Sequence, residues 1–230
     1  MNNIDPGDAR CIGYFTRRAW NQKQPTVEIE FTVLITINIT TLLGNAILCF
    51  IAYRNPKLHT PTTMLIMALA CADLLTAVTV MPLTVDAVIN SRRRFGDGVC
   101  RFHAFTIAVL AQVSIYLTAL TAFNRYLCVK RRNLYVIIFI KERTSLLIAA
   151  IWIVALIINR LPNLPSLDYF FFCPGYLLCW RRIMSPAAIY SFNAWLYGSF
   201  VISYFGILVC YWKVFRAVEE HNAAVAPSVN

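Results

Sequence analysis

Polar residues fall in short intervals along this chain, and between them lie five long apolar runs. Phe31–Tyr53 has 23 residues and no charge. Thr62–Val85 carries one charge, Asp73, and Phe102–Asn124 carries none. Thr144–Asn159 has 16 residues, slightly short of the roughly 20 that cross a bilayer. Ile183–Trp212 has 30 uncharged residues, more than one span requires, so its first part is expected to be loop. In lipid a backbone must satisfy itself, so each run is expected to be a helix. The alternation and length of barrel strands do not fit. The pattern predicts an all-α, multi-pass transmembrane bundle with helices near 27–54, 62–89, 98–131, 143–161 and 188–218.

Composition strengthens that reading. The 230 residues are 59% hydrophobic and 14% charged, against about 25% charged in a soluble domain. No apolar h-region precedes the first run, so a cleaved signal peptide is not expected and the first span serves as insertion signal. Residues 1–26 are read as an extracellular N-terminal segment, 27–218 as the membrane domain and 219–230 as a flexible cytoplasmic tail. There is no internal repeat.

The net charge of +10 does not orient the chain. With the N-terminus outside, ten Lys/Arg fall inside and eleven outside, so the positive-inside rule decides nothing. The same dispersion argues against nucleic-acid binding. Cysteine placement says more. Cys11, Cys100, Cys173 and Cys179 share one side, which suggests an oxidising compartment and leaves three pairings open. Cys49, Cys71 and Cys210 lie within spans, and Cys128 at an inner helix end. No cysteine or histidine spacing suggests a metal site. His59, His103 and His221 are the only histidines and none accompanies a nucleophile, so the chain is not expected to be an enzyme.

Ionisable residues within spans cost roughly 2.5–3.5 kcal/mol on insertion scales and are functional candidates. Asp73 in "MALACADLLTA" is the clearest and needs a partner; Asn45 in "LLGNAIL" and Ser114 in "AQVSIYL" are plausible ones. Gly44, beside Asn45, would allow a close helix approach. Arg125 stands at the inner end of the third run, between Asn124 and Tyr126. Its chemistry alone fits either a snorkelling surface cation or a functional group.

Several motifs, in order, resemble the rhodopsin-like (class A) G-protein-coupled receptors from Phe31 to Arg216. They are "GN" at Gly44–Asn45, "LACAD" at Leu69–Asp73, Pro82 at the second-helix kink, and "FGDGVC" ending at Cys100. "NRY" at Asn124–Tyr126 resembles the commoner Asp-Arg-Tyr, and Trp152 and "CYWKVF" with Tyr211 follow. The steps from Cys100 to Arg125 (25 residues) and from Arg125 to Trp152 (27 residues) fit as well. The resemblance implies a Cys100–Cys179 disulfide, with Cys11–Cys173 as a guess for a second. It implies a G-protein switch of Asn124, Arg125, Tyr126 and Tyr211, and a sodium pocket of Asp73, Ser114 and Asn45, with sodium as an allosteric ion and no other cofactor. Ile115 matches a core position of the activation connector. Asn124 is neutral where the family usually has Asp, which implies a weaker restraint on Arg125 and raised basal activity. Ser203 replaces the usual fifth-helix proline, which puts the usual bulge in doubt.

By the same resemblance the ligand pocket would use Ile107, Ala111 and Gln112 on the third helix with Trp195 and Ser199 on the fifth. Ile107 stands where amine receptors carry Asp, so the extracellular ligand is not expected to be an Asp-anchored amine. "NRY" and "LPNL" at Leu161–Leu164 are similar to melatonin receptors, whereas the spacing of Asn163 and the "WRRIMSP" stretch depart from them. "SRRRF" at Ser91–Phe95 and "WRR" at Trp180–Arg182 would favour anionic ligands by steering, or are solvated loops.

The family has seven spans and this sequence offers five. The expectation is therefore a receptor fragment, truncated after the fifth helix, whose full-length parent sits in the plasma membrane with its N-terminus outside, contacts lipid and activates heterotrimeric G proteins. The alternative is a natural five-span protein that associates with full-length receptors and modulates them. A transporter is disfavoured because no inverted repeat is visible.

Overall fold

The computed structural model describes residues 24–55, 60–90, 96–160, 168–173, 178–183 and 186–225. Its elements are α1 (Gln24–Arg54), α2 (Pro61–Thr79), α3 (Met81–Asn90), α4 (Asp97–Lys130), α5 (Arg132–Ile138), α6 (Lys141–Arg160), β1 (Asp168–Cys173), β2 (Leu178–Ile183) and α7 (Pro186–Val225). Among the described residues five stretches are long and apolar enough to cross a membrane: Glu28–Arg54, Pro61–Ile89, Asp97–Lys130, Lys141–Asn159 and Ala194–Ala223. The chain is thus a helical, multi-pass membrane protein.

Several threonines within these spans satisfy themselves locally. Thr32, Thr36 and Thr40 each donate their hydroxyl to the carbonyl four residues earlier, at 2.7–2.8 Å. Thr79, Thr118 and Thr121 do the same. Such back-bonding lets a hydroxyl lie on a helix in lipid without an orphan donor.

The second span is two helices. Pro82 has no N–H to donate to the carbonyl of Val78, and α2 and α3 are separated at Val80. At the break the Val80 carbonyl accepts both the Thr84 N–H at 3.1 Å and the Thr84 hydroxyl at 3.2 Å.

Backbone contacts divide the chain into two units, which cut across the long helices. The first comprises Met1–Ala46, Asp73–Leu110 and Asn159–Ile189. In it Phe31 and Leu34 of α1 pack on Ala87 and Val88 of α3. β1 and β2 pair antiparallel, with Asp168 opposite Ile183 and Cys173 opposite Leu178. This ribbon is an addition to the all-helical expectation; it ends at Ile183, where the Ile183–Trp212 run begins, and the last helix is already under way at Pro186.

The second unit comprises Ile47–Ala72, Ala111–Ile158 and Tyr190–Asn230. Its core is Leu65, Leu127 and Phe139, surrounded by Leu120, Tyr126, Tyr135, Ile138, Leu147 and Ile148. Phe139 is joined by Tyr135, at 5.9 Å between ring centroids, and by Phe123, at 6.3 Å. Many large apolar side chains remain exposed on the spans, such as Ile47, Phe50, Ile153, Ile202 and Phe205. On a membrane protein this is the lipid-facing surface, since lipid removes the penalty that water would impose.

Two expectations need correction. A Cβ built at Gly44 meets nothing within 4 Å, so Gly44 supports no close helix approach. The last helix runs without interruption to Val225, so residues 219–225 are helical and not a flexible tail. The family proline that Ser203 replaces would have removed a backbone hydrogen bond in this segment; with Ser203 in place, α7 is one continuous helix of 40 residues. At 1.5 Å per residue it is about 60 Å long, twice the hydrocarbon thickness of about 30 Å, so it projects beyond the bilayer.

Candidate functional site

The second unit gathers the candidate switch residues where α4 ends. Asn124 is completely buried (0% exposed). Its Oδ1 accepts a hydrogen bond from the Thr62 hydroxyl of α2 at 2.8 Å. Its Nδ2 is buried with no hydrogen-bond partner. A buried donor left without a partner is a defect of a kind that costs about 1–3 kcal/mol.

One residue along, helical geometry rotates the side chain by about 100°. Arg125 is exposed. Among the described residues it has no hydrogen bond, ion pair or ring contact. Buried Asn124 and exposed Arg125 thus divide two tasks: one fixes the helix end, the other presents a cation.

Tyr126 is half-buried, and the Lys213 ammonium of α7 lies 5.4 Å from its ring centroid. Lys130 Nζ forms a salt bridge with Glu220 Oε2 at 3.0 Å, again joining α4 to α7. Tyr211 is exposed, as is Trp212, beneath the guanidinium of Arg216 at 5.7 Å. The sequence reading missed Thr62, the Lys213–Tyr126 contact and Glu220. The partners of Asn124 and Lys130 lie 62 and 90 residues away along the chain, and no local pattern marks them.

The first unit holds the other candidates. Cys100 and Cys179 are disulfide-bonded, with Cα atoms 5.3 Å apart, fastening β2 to the start of α4. Both are buried. Cys49, Cys71, Cys128 and Cys210 are free thiols. Cys11 and the Cys173 side chain lie outside the described residues, as do "SRRRF", "LPNL" and the side chains of Trp180–Arg182. Nearby, His103 is buried at 4% exposure, and its Nε2 is 3.3 Å from the Thr84 hydroxyl. The sequence reading treated His103 only as a histidine without a catalytic partner.

Asp73 is half-buried, and no partner for its carboxylate is found among the described residues. Asn45 donates from Nδ2 to the Thr41 carbonyl of its own helix at 2.9 Å, leaving Oδ1 as a candidate acceptor. Ser114 belongs to the second unit, where its carbonyl accepts the Thr118 hydroxyl at 2.7 Å. Carboxylate, amide and hydroxyl oxygens are hard donors of the kind alkali cations accept.

Of the pocket candidates, Ile107 is half-buried in the first unit. In the second, Gln112 is 1% exposed and donates from Nε2 to Tyr116 Oη at 3.0 Å on its own helix. Ala111 is exposed, and Trp195 is 49% exposed. The Ser199 hydroxyl donates to the Leu196 carbonyl at 2.9 Å.

Comparison with known proteins gives a consistent picture. Residues 44–228 match the family described as 7 transmembrane receptor (rhodopsin family). Melanopsin of Phodopus sungorus is 30% identical over 197 residues, which cover 84% of this chain and 41% of that protein. The Allatostatin-A receptor of Bombyx mori is 33% identical over 120 residues, 52% of this chain and 33% of the receptor. The 5-hydroxytryptamine receptor 1B of Equus caballus is 31% identical over 144 residues, 60% of this chain and 37% of the receptor. The chain spans about two fifths or less of the length of these curated relatives.

Proposed function

The chain belongs to the rhodopsin family of seven-transmembrane receptors, and on that premise we propose that its spans take part in extracellular ligand binding and heterotrimeric G-protein activation at the plasma membrane, with the N-terminus outside. The observation that carries the proposal is the end of α4. Asn124 is buried and tied to Thr62, while Arg125 is exposed and without a partner among the described residues. A fixed helix end that presents an unpaired cation suits reversible capture of a partner's polar or acidic groups, and such a contact can bias a two-state bundle.

Ligand chemistry follows from Ile107. A branched aliphatic side chain offers no counter-ion, so an amine held by a third-helix carboxylate is disfavoured. The names of the matched receptors point to different ligands, so none of them is carried over. Sodium is proposed as an allosteric ion, with Asp73 and the Asn45 oxygen of the first unit as candidate ligands.

The test is expression of the chain in cells, alone and continued by the sixth and seventh helices of a rhodopsin-family relative. Dissociation of Gα from Gβγ is the readout. Activation by the continued chain that falls to background on Arg125→Ala supports the proposal. Activation indifferent to Arg125→Ala, or none with any Gα class, refutes it.

A further inference from the structure

The connection between α4 and α6 suits neither water nor hydrocarbon alone. Helix α4 stops at Lys130, and Arg131 is non-helical at φ −138° and ψ 59°. The chain then runs through α5, seven residues or about 10 Å long. One side of α5 is anchored: Tyr135 and Ile138, with Phe139 after them, pack on Leu65 and Leu127. The rest faces outward, with Leu134 47%, Val136 54% and Ile137 56% exposed, followed by Ile140. The adjoining span ends expose Val129 and Leu146 as well.

Cations bracket these apolar side chains. Lys130, Arg131, Arg132, Lys141 and Arg143 stand against a single acid, Glu142, between residues 130 and 143. Three are held in place, Lys130 by its salt bridge to Glu220. The Arg132 guanidinium lies 5.5 Å from the Tyr135 ring centroid, with Nη1 3.7 Å from Cys128 Sγ. Arg143 Nη1 donates to the Ile137 carbonyl at 2.6 Å, closing the end of α5. Arg131 and Lys141 are exposed and, among the described residues, have no side-chain partner.

We propose that residues 131–143 form a docking surface for the headgroups of anionic phospholipids. The exposed apolar side chains enter the acyl boundary, and the cations at the two ends of α5 meet headgroup phosphates. This is the arrangement by which short interfacial helices lie on charged membranes. Lipid is favoured over a soluble protein because α4 and α6 are spans, so a bilayer surface already adjoins this turn. The charge is also complementary to anionic headgroups.

The full chain, purified in detergent, is titrated with phosphatidylserine, phosphatidylinositol bisphosphate or phosphatidylcholine, and bound lipid is counted by native mass spectrometry. Anionic lipid is expected to bind at least about tenfold better than phosphatidylcholine. Removal of each cation in R131Q/R132Q/K141Q is expected to weaken binding by roughly fivefold. The charge-conserving R131K/R132K/K141R is expected to keep the preference. Equal binding of charged and neutral lipid, or a preference unchanged in the triple glutamine variant, overturns the proposal. In a second measurement Leu134→Trp is placed in vesicles with bromolipid, and the added fluorescence is taken against the parent chain. Quenching by bromolipid is expected. Quenching by aqueous iodide instead assigns the surface to water or a soluble protein and overturns the proposal.

Discussion

Replacing Thr62 with Val tests the anchoring of the α4 end. Valine keeps the branched shape, so packing changes little, and the bond from the Thr62 hydroxyl to Asn124 Oδ1 at 2.8 Å is lost. Asn124 is 0% exposed and its Nδ2 already lacks a partner. The variant therefore leaves both polar atoms of one buried side chain unsatisfied. A buried amide atom left without a partner costs about 1–3 kcal/mol. Interhelical hydrogen bonds in bilayers average only about 0.6 kcal/mol and reach about 1.7, because separated helices find other partners. Full burial of Asn124 excludes rescue by water, so the expected loss is about 1–2 kcal/mol. The assay is equilibrium unfolding of the full chain in mixed micelles, followed by circular dichroism. A double-mutant cycle with Asn124→Leu isolates the pair, since leucine of similar size removes the amide altogether. Thr62→Val in that background should cost little, leaving a coupling of about 1 kcal/mol. A coupling below about 0.3 kcal/mol, the usual scatter of independent sites, refutes the reasoning.

Asn124→Asp should lower basal G-protein activation in the continued chain, because a carboxylate beside Arg125 restores a charged restraint; unchanged basal signalling counts against this. Cys100→Ala should destabilise the first unit by about 2–4 kcal/mol and reduce surface expression, since the bridge closes a separation of 79 residues; Cys179→Ala should match it, and a mismatch would mean that one cysteine has another partner. The Lys130–Glu220 pair is 46% and 68% exposed, so Lys130→Ala should cost under about 1 kcal/mol and the effect should fade at high salt. A salt-insensitive loss above about 2 kcal/mol would show that the pair is buried by something else.

Much of the membrane architecture was legible because spans are local. An apolar run long enough for a bilayer must close its own backbone hydrogen bonds, whatever its neighbours do. Asn124, Arg125 and Tyr126 were likewise visible, because an abrupt polar break after Phe123 ends the apolar run. Their division of labour was not. Which of three consecutive residues is buried depends on how α4 is rotated, and the run before them, apolar but for scattered hydroxyl and amide side chains, does little to set that rotation.

Long-range pairing was hidden for the same reason. Thr62 reads as one more threonine after a helix-starting proline, and becomes the partner of Asn124 only once α2 and α4 are placed together. Gly44 showed the opposite error: its lack of a side chain suggested close packing, and open space surrounds it.

The sequence by itself determined five apolar helices, their approximate limits and the family they belong to, because hydrophobic length and motif order are properties of the chain alone. Tertiary structure decided which polar groups are satisfied and which are left exposed. It gave Asn124 to Thr62 and Lys130 to Glu220, left Arg125 facing outward, and held the apolar side chains of α5 open between its cations. Those outcomes depend on helix rotation and register, and helices that are apolar all round carry little record of either.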